Sequence, residues 1–366
     1  MPDPTIPEVD PIPLPAPVWL FKLLHDLTLT LHFSAVHLLL GGLLIGVIVH
    51  WLGRRTRRAD LIETSGAVAG WLPILMIYVI NLGVPPLLFA QVLYGRALYT
   101  SSILIGIFWI AVIPLLIVCY QLLYLMQARA QAGRSWGVIG LAALLLTWVI
   151  AMIYSTNMTL MLDPANWREI YRDHPTGTSL VPFAVLVWLP RWLYMMAAGI
   201  TASAVLIGWL STSSGFSEAT RQFMRSFTGR FGLGGGLVCL GAGLGVWFSQ
   251  PGSVHKGFSA NPVWLGFAGL WFLAVAGVVG LGAFLVFKKP PLTKLLLAGL
   301  SAVAFLQIAG AVVCRDGIRD ALLAQAGFDV WQRQCAVNWS VLILFFVLFV
   351  IGLGIVGWLA YAYLFR

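Results

Sequence analysis

The sequence predicts an all-α, polytopic membrane bundle of about nine transmembrane helices. Three observations predict it. Hydrophobic residues make up 60% of the chain, charged residues only 10%, and the mean hydropathy is +0.91; no soluble domain has this composition. The apolar residues fall into runs long enough to cross a hydrocarbon layer of about 30 Å at about 1.5 Å per helical residue. Basic residues gather in every second connection between those runs, as they do on the cytoplasmic side of membrane proteins.

In order, the spans fall near 18–51, 66–93, 100–128, 136–161 and 182–211, then near 231–249, 262–287, 292–314 and 336–365. The Gly-rich sixth has the least defined ends. Residues 1–17, MPDPTIPEVDPIPLPAP, precede them. This stretch is acidic and proline-rich and lacks a signal peptide's basic start and small-residue cleavage site. It is expected to be retained and to lie extended along a protein surface, another subunit being one such surface. Residues 18–366 then form a single transmembrane domain.

Arg54, Arg55, Arg57 and Arg58, Arg129 and Arg134, Arg221, Arg225 and Arg230, and Lys288, Lys289 and Lys294 mark alternate loops as cytoplasmic. An odd number of spans then puts the N-terminus outside and the C-terminus in the cytoplasm. The net charge of +9 is thus a topology signal and not a mark of nucleic-acid binding. The longer connections, near 162–181, 250–261 and 315–335, fall outside and offer a docking face. Trp167, Tyr171, Trp188, Trp192, Trp264 and Trp331 lie near that boundary, where such rings anchor among headgroups. Paired halves of the kind seen in transporters are absent, as is a nucleotide-binding glycine loop.

The first span carries His25, His32, His37 and His50, four of the six histidines. An imidazole inside a membrane helix is costly, so each is a candidate functional group. His25 and His32 are seven residues apart and share a stripe, about 10 Å from each other, while His37 points away from it. The stripe suits a tetrapyrrole, whose iron takes axial imidazole; the alternative is hydrogen bonding between helices. None of the four cysteines lies in a CxxCH pattern, so the chain attaches no c-type haem of its own. Cys119 and Cys239 read as buried apolar residues. Cys314 and Cys335 bracket the last external loop and are expected to form a disulfide.

Three segments carry a family resemblance. LTLTLHF, followed by an LGG run, resembles the first helix of cytochrome bd-type quinol oxidase subunit I, where a histidine followed by phenylalanine ligates haem b; His32 falls on that position. NLGVPPLLFAQVLYG is similar to the family's proline-containing second span. PRWLYMMAAGITASA resembles the helix that carries the low-spin haem histidine, with Tyr194 in that histidine's place. The family's membrane glutamates, long quinol loop and GRQPW signature are missing, although Gln250 and Pro251 keep a QP pair.

The resemblance implies an integral subunit of a respiratory or photosynthetic electron-transfer complex in a bacterial inner membrane. Such a subunit would bind one haem b through His32, or a quinone, and dock a c-type cytochrome outside. His25, His37, Arg191 and Tyr194 are the further candidate cofactor contacts, Arg191 as a clamp for a quinone or haem propionate. The departures argue against oxygen reduction by this chain, which is at most a subunit of a membrane oxidoreductase. A haem-free anchor subunit of the same complex is the alternative. A transporter is the third reading, disfavoured because the spans are expected to lack paired charges and Arg315, Asp316, Arg319 and Asp320 read as boundary residues.

Single-cysteine labelling from each side of the membrane checks the orientation. The expected outcome is labelling at Arg55→Cys from the cytoplasm and at Thr176→Cys from outside; the reverse pattern would invert the topology.

Overall fold

The computed structural model describes residues 13–179 and 185–365. Eleven α-helices and two short 3-10 turns account for the described chain, and nine of the helices are long and apolar enough to cross a membrane. They are α1 (Val18–Thr56), α2 (Ala59–Leu104), α3 (Gly106–Gln131), α4 (Gly137–Leu160), α6 (Val185–Leu210), α7 (Glu218–Phe248), α9 (Pro262–Phe287), α10 (Lys294–Gln325) and α11 (Trp339–Phe365). Two short helices, α5 (Trp167–Asp173) and α8 (Gly252–Ser259), lie at the end of the bundle that holds the start of α1.

Local chemistry sets the helix ends. Pro17 precedes α1, and Arg57 ends it in the left-handed region at φ 54°. Ser217, Asn261 and Thr293 cap α7, α9 and α10 by accepting backbone N–H bonds with their side chains. Pro262 follows Asn261 at a position where a missing N–H costs nothing. Three prolines, Pro73, Pro85 and Pro86, sit inside α2, and its backbone leaves helical geometry at Tyr94 (φ −122°, ψ 25°). A straight helix of 46 residues would be about 69 Å long; this break bends α2.

α1 is the central helix, packed on α2, α4, α6 and α10, and two-thirds of its apolar window is buried. Its approach to α6 depends on glycine. A Cβ on Gly41 would collide with the Gly199 carbonyl, and Ser203 donates to the Leu38 carbonyl across the same contact at 3.3 Å. This is the small-residue packing that membrane helices use to bring backbones together. α11 is the opposite case. Leu342, Phe345, Phe346 and Phe349 pack with Leu20, Phe21, Leu24 and Phe89, and none of its apolar window is fully buried.

Several expectations are corrected here. The span expected at 292–314 continues as α10 to Gln325, so Arg315, Asp316, Arg319 and Asp320 are helical and not in a loop. Asp316, Arg319 and Asp320 are buried. The Cys314–Cys335 disulfide is not formed; both thiols are free. Cys314 lies eleven residues inside the end of α10, about 16 Å down the helix axis, and packs in the cluster that holds Phe258 and Trp264. Cys335 sits instead against the N-terminal segment. Leu14 donates to the Gln334 carbonyl at 2.9 Å and accepts from Ala336 N–H at 2.8 Å, and Asn338 N–H donates to Pro15 at 3.0 Å. Leu14 and Pro15, at the end of the proline-rich segment, thus lie against the segment before α11 of the same chain; residues 1–12 are outside the described part.

Gly41→Val should destabilise the folded chain by about 1–3 kcal/mol, the usual range for overpacking, because the colliding partner is backbone. Gly66→Ala, where a Cβ meets nothing within 4 Å, is the control. Thermal unfolding in detergent should separate the two; equal midpoints would remove the close-approach argument.

Candidate functional site

Two groups of polar side chains share the half of α1 nearest its start. The first is a buried ion cluster that joins α1, α2 and α10. The Lys22 ammonium pairs with Asp316 and lies 2.7 Å from Asp320, and it donates to the Tyr94 hydroxyl at 2.6 Å. That hydroxyl gives its proton to Asp320 Oδ1 at 2.7 Å, with Asp316 Oδ1 3.0 Å away. Trp331 Nε1 donates to Asp320 Oδ2 at 2.9 Å, and Arg319 reaches Asp316 at 3.2 Å. Arg319 also lies over the Tyr94 ring, 4.6 Å from its centroid. The break in α2 at Tyr94 falls where the phenol enters this cluster.

His25 belongs to the cluster. Arg319 has only protons to offer, and its NH1 lies 3.3 Å from His25 Nε2, so Nε2 is the acceptor. The proton is then on Nδ1, which donates to the Pro86 carbonyl at 3.0 Å. His25 is a neutral imidazole with both nitrogens in use. His25, Asp26 and Asp316 bring ligand atoms within 4.8 Å of one another. With His25 occupied and Asp316 committed to Lys22 and Arg319, this is an ion-pair cluster and not a cation site.

The second group lies two turns deeper. His32 Nδ1 is 3.0 Å from the Val79 carbonyl on α2, which fixes the proton on Nδ1 and leaves the Nε2 lone pair free of any described hydrogen bond. Gly83 makes room for the ring: a Cβ there would stand 2.9 Å from His32 Cε1. The imidazole is half-buried in the groove between α1 and α2, where Ile80 and Val84 are exposed. Phe33 lies beside it at 5.8 Å between ring centroids, and His37 lies 6.0 Å from Phe33 on its other flank. His37 is fully buried and neither ring nitrogen has a hydrogen-bond partner.

The remaining sequence candidates separate by geometry. Tyr194 is buried, accepts from Trp271 Nε1 at 2.9 Å and reaches the Gln307 carbonyl at 3.5 Å, so its phenol joins α6 to α9 and α10. Arg191 lies one turn before it, half-buried on α6. His50 meets Ser135 at 3.2 Å and stacks on Trp136 at 4.2 Å, holding the turn into α4. His255 contacts the Trp247 carbonyl at 3.0 Å. Trp188 falls among residues whose side chains are not described.

Sequence reasoning missed Lys22, Asp26 and Tyr94. A usable signal was present: Asp316, Arg319 and Asp320, at spacings of three and four, share one helix face, and Lys22 is the lone cation in the first span's apolar start. The argument against transport must change accordingly, since the spans do contain paired charges. These sit near the ends of α1 and α10 rather than at mid-helix, where transport sites lie.

Fold and site together define a multi-pass membrane helix bundle with a buried ion cluster and a histidine-bearing groove on its central helix. No protein-family model matches the chain, and no curated protein matches it by sequence. Its fold is that of a chain in the structure of bd oxidase from Geobacillus thermodenitrificans, with a TM-score of 0.66 over 97% of this chain and 99% of that one. The identity is 12%, so the likeness is one of fold.

Lys22→Met removes the cation that both aspartates face. Breaking a buried pair from one side costs about 3–5 kcal/mol, and adding Asp316→Asn and Asp320→Asn should recover most of it. Chemical unfolding of the single and triple variants checks this. A triple variant no more stable than Lys22→Met would remove the ion-pair account.

Proposed function

We propose that the chain is a membrane subunit of a bd-like electron-transfer complex and that His32 is its protein ligand for one b-type haem. The observation that carries the reading is the state of His32: a tautomer fixed by the Val79 carbonyl, a ring seated on Gly83, and an Nε2 lone pair directed away from the hydrogen bond. A carbonyl on Nδ1 is the usual outer partner of a metal-bound imidazole, because it orients the ring and raises its basicity. The orphaned nitrogens of His37, buried on the other side of Phe33, add that this region holds polar groups whose partners are not on the chain.

A haem held there would supply a one-electron carrier. The chain's own part is to place and electrostatically tune it. Val79 and Gly83 fix the His32 ring, Phe33 separates it from His37, and the apolar walls of α1 and α2 exclude water. His25 and Tyr194 are assigned no ligand role in this reading, since their polar atoms bond within the chain. The connections at the start of α1, with α5, α8 and the segment before α11, form the face on which a c-type cytochrome would dock. With one centre, the chain would pass electrons between partners and not reduce oxygen by itself.

A haem-free anchoring role in the same complex is the second reading, and α11 favours it. A helix with so little contact to its own bundle is suited to packing against another subunit.

The test is a pyridine haemochrome assay on the purified protein with whatever subunits accompany it. The expected result is protohaem in the wild type, its loss in His32→Ala with a folded bundle, and its retention in His50→Ala. Absence of protohaem in the wild type, or full retention in His32→Ala, would leave the anchoring reading.

A further inference from the structure

The charges near the start of α1 do not balance. Lys22, Arg191, Arg315 and Arg319 bring four cations to this part of the bundle, while Asp26, Asp316 and Asp320 bring three carboxylates, and His25 is neutral. Lys22 and Arg319 are paired with Asp316 and Asp320. Among the described residues, neither Arg191 nor Arg315 has a carboxylate within ion-pair distance. Their helices, α6 and α10, pack on each other. Two unpaired guanidiniums in a low-dielectric region are expensive to hold together without a counter-charge.

Arg315 also has a defined position relative to the histidine groove. Its guanidinium lies over the Phe33 ring, 5.8 Å from the centroid, and Phe33 is the residue that separates His32 from His37. A ligand lodged beside these imidazoles would therefore find cations on the side toward the start of α1. The nitrogens of His37, fully buried beside Phe33, have no hydrogen-bond partner among the described residues.

We propose that Arg191 and Arg315 form a receptor for an acid group, carboxylate or phosphate, of a ligand held beside the His32–Phe33–His37 segment. The planar guanidinium fork matches such groups in a bidentate manner, and the two helices supply one fork each. The acid can come from the propionates of a porphyrin or from the headgroup of an anionic phospholipid. The first source rests on the haem reading and gives that ligand its counter-charge; the second stands without it.

The experiment compares the wild type with Arg191→Gln, Arg315→Gln and the corresponding Lys variants, each purified as the full chain with its accompanying subunits. Redox titration reads the midpoint potential of any bound haem, and native mass spectrometry counts bound anionic phospholipid. Loss of a neighbouring cation disfavours the reduced state, so a porphyrin source predicts a lowered potential in the Gln variants and a near-native one in the Lys variants. A phospholipid source predicts loss of the lipid adduct in the Gln variants and its retention in the Lys variants. Folded Gln variants that change neither readout overturn the receptor. So does a wild type that carries neither porphyrin nor anionic phospholipid, a result that holds even if the Gln variants fail to fold. A wild type without haem whose lipid adduct depends on the two arginines would keep the receptor and remove the haem reading.

Discussion

The constraint on which the structure depends is the need to neutralise charge inside an apolar bundle. Lys22 near the start of α1 and Asp316 and Asp320 near the end of α10 are almost 300 residues apart in the chain, and each would be prohibitive alone in hydrocarbon. Their pairing joins the two ends of the fold. Tyr94 supplies the hydroxyl that both carboxylates share, and α2 leaves helical geometry where it does so. Trp331 closes the cluster from the segment before α11, and the Leu14–Cys335 backbone pairing ties the same segment to the residues before α1. The net worth of such buried pairs is small because desolvation offsets attraction, but breaking one is costly, so the cluster specifies register more than it adds stability.

With the end of α1 held by this cluster, the histidines along it acquire different roles. His25 is absorbed into the ion network, both nitrogens bonded. His50, at the far end, holds the turn into α4. His32 is oriented by one carbonyl and keeps a free lone pair, and His37 is buried with none of its polar capacity used. Helical spacing put His25 and His32 on one stripe, but their bonding does not follow the stripe. It follows which carbonyls and cations the neighbouring helices present.

Much of the fold was legible in the sequence because apolar run length is a strong signal in membranes. The nine spans and the bd-like architecture were both readable. The errors share one cause. An apolar-run criterion ends the eighth span at Arg315, since charges normally leave the bilayer; here the helix continues through them to Gln325, and Lys22 and Tyr94 pair with Asp316 and Asp320. That misplaced end moved Cys314 to a loop and produced a disulfide with Cys335 that α10 does not permit. His32 was marked as a candidate by its LHF context. The seat at Gly83 and the tautomer set by Val79 were not legible, because both depend on the register between α1 and α2.

α11 and the His32 groove raise the same question of what completes the molecule. One is an apolar helix with no buried residue in its apolar window; the other is an oriented imidazole in a half-open groove, with arginines that have no carboxylate partner among the described residues to one side. A high-resolution cryo-EM map of the protein, purified with its partners in a lipid nanodisc, addresses both at once. The account predicts porphyrin density with its iron on His32 Nε2. A groove filled by acyl chains or by a partner's side chains, with no macrocycle on Nε2, would contradict it.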